Sequence, residues 1–222
     1  MNSTCIFALM NFLDEKISAY AEDHTTEESK ALHELNRETN AKVLNPRMLS
    51  GHLQGRVLSM ISHMIKPRLV LEIGTYTGYS AICLSEGLME GGMIHTIDIN
   101  DELGEIVKKH ITAASVSHKI KTYTGNALDI IPTISETFDL VFIDADKINY
   151  SNYYDLVFNK LKQEGFILAD NVLWSGKVLE DRTKMDPDTL AIDDFNKKVM
   201  GDKRVENVIL PIRDGLMLVR KK

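Results

Sequence analysis

Two hydrophobic runs in this chain end in groups suited to a hard cation. VFIDADK at 141–147 carries Asp144, and FILADNVLWSG at 166–176 carries Asp170 and Asn171. A carboxylate at the end of a buried strand is costly unless something pairs with it. If neighbouring strands deliver all three side chains side by side, two carboxylates and an amide oxygen make half of the shell a divalent ion takes. The competing reading has Asp144 capping a helix and Asp170–Asn171 forming an ordinary turn. Lys147, three residues past Asp144, is either a base at the same site or a solvated lysine balancing Asp146.

A second constellation lies upstream in LVLEIGTYTGYSA at 69–81. It supplies a strand, a turn and a helix start, with Gly74 for a tight bend and Gly78 for close approach to helix or ligand. Tyr76 stands where a dinucleotide fingerprint has its middle glycine, and Glu72 is unfavourable to phosphate. A cationic or zwitterionic ligand suits Glu72 better. Asp98 follows Gly74 by 24 residues at the end of the next strand, where it can accept hydrogen bonds from a ribose diol. Together these residues indicate a nucleoside-bearing ligand without a diphosphate.

These groups need a scaffold that brings strand ends together, and the chain from Leu69 onward has its pattern. Apolar runs at 69–73, 92–98, 119–124, 138–144 and 165–170 alternate with helical stretches near 79–90, 101–115, 126–135 and 149–163. That alternation predicts an α/β fold with a doubly wound, mostly parallel sheet. After a helix near 188–200, RVENVILPI and GLMLVRK flank Asp214–Gly215, a hairpin signal that makes the last strands antiparallel. Seven strands result. Residues 1–66 read as helices without a strand, with apolar positions at Ile6, Leu9, Met10 and Leu13 and again at Val57, Leu58, Ile61 and Ile65. They are expected to pack on the sheet edge and cover its carboxyl end, as part of a single domain over 1–222. The ten methionines, Met48, Met60 and Met64 among them, read chiefly as core filler rather than as an adaptable surface.

The 222 residues can bury one substantial core. With 26 Lys plus Arg against 32 Asp plus Glu, the formal charge of −6 argues against a surface built to neutralise a long phosphate backbone. Cys5 and Cys83 are no disulfide framework and are expected to be reduced. No run of 18 apolar residues is present, which excludes a helical membrane span. The opening CIFALMNFL lacks a basic flank and runs into Asp14–Glu15, so no secretory signal and a cytoplasmic location are expected. No histidine pair has zinc-motif spacing.

From Met48 to the C-terminus, the motifs MLSGHLQGRVLSM, VLEIGTYTGYSA, TIDIN, GNALDIIP, FIDADKINY, ADNVLWSG and IRDGLML form a specific set. The chain thereby resembles the cation-dependent class I S-adenosylmethionine O-methyltransferases, the group that includes catechol and caffeoyl-CoA O-methyltransferases and bacterial relatives. The resemblance implies a Rossmann-like fold and S-adenosylmethionine contacts from Met48, Glu72, Gly74, Ser80, Asp98, Ala127 and Asp144. It implies Asp144, Asp170 and Asn171 as ligands of Mg2+, with Mn2+ or Ca2+ as alternatives, and Lys147 with Asp144 as catalytic residues. Trp174 and His52 are expected to wall the acceptor pocket. In GNALD, Asn126 stands where relatives often carry Asp, and residues 1–45 carry little of the resemblance.

Within that family the acceptor stays open. A small phenolic substrate with vicinal hydroxyls is the first reading, since an oxygen-ligated cation can fix two adjacent oxygens. The second is a hydroxylated uridine in tRNA, for which Lys42, Arg47, Arg56, Lys66 and Arg68 offer a local phosphate contact. A third is a binding protein that keeps the cofactor but not the reaction. Relatives are often homodimers, and the apolar first helix suits an interface as well as it suits folding back on the sheet.

Overall fold

The computed structural model describes residues 15–222. Ile6, Leu9, Met10, Leu13 and Cys5 lie outside the described residues. The helical opening is α1 (Glu15–Asp23), α2 (Lys30–Lys42) and α3 (Gly51–Ile65), with a short 3₁₀ turn at Pro46–Met48. Ser29 caps α2, its side chain accepting from the Leu32 N–H.

Seven strands follow: β1 (Leu69–Ile73), β2 (Met93–Asp98), β3 (Ile120–Thr124), β4 (Phe138–Ile143), β5 (Leu161–Ala169), β6 (Val205–Leu210) and β7 (Leu216–Lys221). Their order is β3-β2-β1-β4-β5-β7-β6. The first five run parallel, and β7 pairs antiparallel with both β5 and β6, as the Asp214–Gly215 turn predicts. Chain order reverses between β1 and β4, which opens a crevice at their carboxyl ends where such sheets hold ligands.

The interleaved helices are α4 (Tyr79–Ser85), α5 (Gly104–Ala113), α6 (Ala127–Thr133), α7 (Tyr150–Phe158) and α8 (Pro187–Gly201). Alternate residues of each strand feed opposite faces of the sheet. Leu71, Ile73, Val141, Ile143 and Ile167 pack with α6, α7 and α8, while Val70, Ile94, Leu140, Phe142 and Leu168 pack with α3, α4 and α5. Each fully buried aliphatic side chain in these layers contributes about 1.5–3 kcal/mol from burial.

Two expectations need correction. The strand placed at 165–170 begins at Leu161, so the helix expected to reach 163 ends at Phe158. The extra residues pair across a bulge: register shifts between Phe138 and Leu140, and Glu164 takes a positive φ of 63°. Met48, Met60 and Met64 are exposed rather than core. On α3 the buried face is Gln54, Gly55, Leu58, Ser59 and Ser62, and Met60 and Met64 fall on the other side.

Candidate active site

Asp144 and Asp170 each stand one residue beyond their strand. The Asp144 N–H bonds to the Ile73 carbonyl at 2.8 Å and the Asp170 N–H to the Ile143 carbonyl at 3.0 Å, so the ladder continues into the site. The bend after β1 lies hard against it. A Cβ on Gly74, at φ +102°, would meet the Asp144 carbonyl oxygen at 1.8 Å, so only glycine allows the two strand ends to approach this closely.

At the β4–β5 side, the Lys147 ammonium is the meeting point. Lys147 is only 8% exposed, and its Nζ donates to Asp144 Oδ1 at 3.3 Å, to Asn171 Oδ1 at 2.7 Å and to the Tyr150 hydroxyl at 2.7 Å. Tyr150 is fully buried at the start of α7, and its hydroxyl donates to the Asp170 carbonyl at 3.0 Å. Burial pushes the Tyr150 phenol well above its ordinary range, with the Asp144 and Asp170 carboxylates adding to the shift, so it stays neutral. Asp170 is buried, and both its oxygens are bonded: Oδ2 accepts from Gln54 Nε2 at 2.6 Å and Oδ1 from the Asn171 N–H at 2.8 Å. Burial first, and the neighbouring Asp144 carboxylate second, push the Asp170 carboxyl up.

The segment beyond β5 is strained into place. Asn171, Trp174 and Ser175 have positive φ values of 56°, 47° and 52°. Such backbone costs of order 1–3 kcal/mol per residue and persists only where its surroundings hold it. The hairpin turn supplies that hold: the Val172 and Leu173 N–H groups donate to the Gly215 and Asp214 carbonyls, and the Ser175 N–H to the Asp214 side chain. A Cβ on Gly215 would meet Leu173 Cγ at 2.5 Å, which is why the turn can lie flat on this loop. Trp174 Nε1 is a buried donor with no partner among the described residues, and Lys147 Nζ lies 5.6 Å from the centre of a Trp174 ring.

The β1–β2 side is built from an acid among hydroxyls. Glu72 pairs in register with Thr96 on one side and Phe142 on the other, where a row of threonines meets an apolar one. It is fully buried; Oε2 accepts from the Thr96 hydroxyl, which also meets the Thr75 hydroxyl at 2.5 Å, and Oε1 has no hydrogen-bond partner among the described residues. Burial raises the Glu72 carboxyl to about 8, against the opposing pull of the nearby Ser80 and Thr96 hydroxyls and with the Asp144 and Asp98 carboxylates adding to the rise. Ser80, buried in the first turn of α4, thus shares the Glu72 environment. Asp98 accepts from the Tyr76 N–H at 2.6 Å and the Asn100 N–H at 2.9 Å. Tyr76, at φ 49°, crosses the turn and bonds through its hydroxyl to the Asn45 carbonyl at 2.9 Å. Ala127 is buried at the first position of α6, below the Asn126 cap, whose side chain accepts from the Leu128 N–H at 3.0 Å.

Two other expected residues come from the helical opening. Met48 is 60% exposed, and His52 Nε2 lies 2.7 Å from the Thr26 carbonyl, tied to the loop before α2 rather than to the strand ends. The five basic positions do not form one patch. Arg56 bonds both oxygens of Glu86, and Lys42 pairs with Glu38. Lys66 and Arg68 flank the start of β1, at the opposite end of the sheet from Asp144.

The donor chemistry fits both groups that the resemblance implies. Asp144, Asp170 and Asn171 offer only oxygen, which suits magnesium, manganese or calcium. Among the described residues no three His, Cys, Asp or Glu side chains converge as a ready metal cluster, so a cation here depends on the amide and on ligands from outside the chain. The unpartnered Glu72 Oε1 suits a cationic ligand, because a buried polar atom without a partner is costly until something pairs with it. Among the described residues no helix is long and apolar enough to cross a membrane.

Residues 22–222 match a family model described as O-methyltransferase. The chain is 37% identical over 205 residues to a caffeoyl-CoA O-methyltransferase of Petroselinum crispum, covering 87% of this chain and 85% of the relative. It is 38% identical to caffeoyl-CoA O-methyltransferase 1 of Zea mays, covering 87% and 79%. Among solved structures, an O-methyltransferase from Bacillus cereus in complex with SAH superposes with a TM-score of 0.86 at 29% identity, covering 93% of this chain and 97% of that one. An SAH-bound methyltransferase of Podospora anserina gives the same TM-score at 28% identity, covering 94% of each.

Proposed function

Because this chain belongs to the O-methyltransferase family, we propose that it methylates one hydroxyl of a small phenol with vicinal hydroxyls, using S-adenosylmethionine and a divalent cation such as magnesium. The observation that carries this reading is the meeting of Asp144, Asn171 and Tyr150 on Lys147 Nζ, beside the buried Asp170.

S-adenosylmethionine, when bound, supplies an electrophilic sulfonium methyl. A divalent cation, when held by Asp144, Asp170 and Asn171, supplies Lewis acidity toward the acceptor hydroxyl. A neutral phenol has a pKa of about 10 and is a poor nucleophile at neutral pH. Lys147 donates all three of its ammonium protons in the ligand-free chain, so it acts as base only after releasing one of them to solvent. The neutral amine then receives the phenolic proton at Nζ, held by Tyr150 beside Asp144 and Asn171. On the other side, Glu72 favours the cationic part of the methyl donor, with Ser80 beside it. The Tyr76 and Asn100 N–H groups hold the Asp98 carboxylate at the end of β2, placed to accept from the ribose diol. Gly74 keeps the two sides in contact, which matters because methyl and oxygen must meet in line. Trp174 walls the acceptor side and helps exclude water. Relatives named for caffeoyl-CoA support the phenolic acceptor class.

The test is an acceptor screen with methyl-labelled S-adenosylmethionine, offering catechols, monophenols, caffeoyl-CoA and undermodified tRNA. Label transfer to catechols, with monophenols at least ten-fold poorer, is expected; transfer to tRNA alone overturns the acceptor assignment. Sedimentation velocity on the same preparation tests the homodimer that the family resemblance leads us to expect.

A further inference from the structure

The C-terminal hairpin and α3 converge on Asp170 through a relay of side chains. Gln54 is buried on α3, and its Nε2 donates to Asp170 Oδ2 at 2.6 Å. The other end of the same amide accepts from Arg213 Nη1 at 3.3 Å, and that guanidinium nitrogen also donates to the Leu49 carbonyl at 3.0 Å. Arg213 takes a positive φ of 49° in the turn between β6 and β7, the same turn that straps the segment after Asn171.

The two ends of a glutamine amide are nearly equal in size and opposite in hydrogen-bonding sense. Facing the carboxylate with its oxygen, Gln54 would set two acceptors against each other. Arg213 has only donors, so its contact with Oε1 fixes which end of the amide is left for Asp170. The carboxylate then has Oδ2 held by Gln54 and Oδ1 by the Asn171 N–H, which leaves one rotamer. Groups that bond a metal ligand in this way commonly govern metal affinity as strongly as they govern its orientation.

We propose that Gln54 and Arg213 are positioning residues for Asp170, with Arg213 acting through the orientation of the Gln54 amide. The inference rests on the metal role given to Asp170 above. It assigns to the hairpin turn a part in the site in addition to closing the sheet.

Mn2+ titrations of the metal-stripped protein, followed by electron paramagnetic resonance, test it alongside calorimetric melting of the same samples. Gln54→Met is expected to weaken Mn2+ binding by about 10–100-fold in a protein that still melts cooperatively. Arg213→Met should weaken it less, about 3–10-fold, and the double variant should be no worse than Gln54→Met alone, because the arginine has nothing left to orient. Arg213→Lys keeps a donor and should bind within about three-fold of the unsubstituted protein. Unchanged Mn2+ affinity in Gln54→Met, or losses that add in the double variant, overturns the relay. If Gln54→Met does not fold, the arginine variants decide: Arg213→Met binding as tightly as Arg213→Lys overturns it equally. An unsubstituted protein that binds no Mn2+ overturns the metal reading itself, and the relay with it.

Discussion

The two halves of the site are prepared for their ligands in opposite ways. Around Asp170 the protein supplies its own partners: Gln54 and the Asn171 N–H hold the carboxylate, and the Lys147 ammonium joins Asp144 to Asn171. Around Glu72, among the described residues, the hydrogen-bond partners are hydroxyls rather than a cation, and one carboxylate oxygen has none. The first half is ordered before anything binds. The second is a buried acid whose ionised form gains its counter-charge from a ligand. Preorganised charge belongs where geometry must be held for reaction, and an unpaired acid belongs where binding itself is to be driven.

If that division is right, substitutions in the two halves separate turnover from cofactor binding. The largest effect is expected for Lys147→Met, with kcat down about 10²–10⁴-fold and S-adenosylmethionine affinity changed by no more than about three-fold. Calorimetric binding beside the labelled-methyl assay checks it; equal losses in both would erase the distinction between the halves.

Glu72→Gln should do the reverse, weakening S-adenosylmethionine about ten-fold or more through loss of a charged contact. It also carries a pH signature. Glu72 is raised to about 8 in the ligand-free protein, so it is protonated below that and must ionise to pair with a cation. Cofactor affinity should therefore rise with pH between about 6.5 and 8.5 and flatten above, and Glu72→Gln should lose that rise. Stability runs the other way. The unfolded chain releases this proton near 4.5 and the folded chain keeps it to about 8, so the Glu72 contribution is present at low pH and declines across that window. Denaturant melts of the two proteins at pH 5 and pH 8.5 should show the unsubstituted protein losing more stability; parallel losses would contradict the buried-acid account.

Tyr150→Phe is the mildest of the three. It removes the hydroxyl that accepts from Lys147 and donates to the Asp170 carbonyl while keeping the ring, which stacks edge-on with Phe195. A drop in kcat of about ten-fold is expected, with cofactor affinity unchanged in a binding titration.

The strand ends were legible because hydrophobic runs of strand length closed on acids, and the β-α alternation put those ends on one side of the sheet. That pattern alone singles out Asp144, Asp170 and Asn171, whereas Lys147 reads equally as a solvated lysine until the family resemblance gives it a role. Tyr150 left a faint signal, three residues past Lys147, a spacing that puts side chains on one face once a helical turn forms. Gln54 and Arg213 left none. They meet Asp170 and each other across 116 and 159 positions of chain, and no local pattern encodes such a contact. The early start of β5 was hidden for a related reason: Leu161–Glu164 pairs across a bulge, and the positive φ at Glu164 falls on a residue type that does not announce it. The basic positions read as one patch because proximity in sequence stood in for proximity in space; the strand directions separate them.

The most direct measurement is methyl transfer from labelled S-adenosylmethionine to a catechol by protein stripped with a chelator, before and after Mg2+ is returned, with Asp170→Ala in parallel. Activity that falls by at least about 100-fold on stripping, returns with Mg2+ and stays absent in Asp170→Ala is the predicted result. Transfer indifferent to chelation and to the loss of Asp170 would contradict the account.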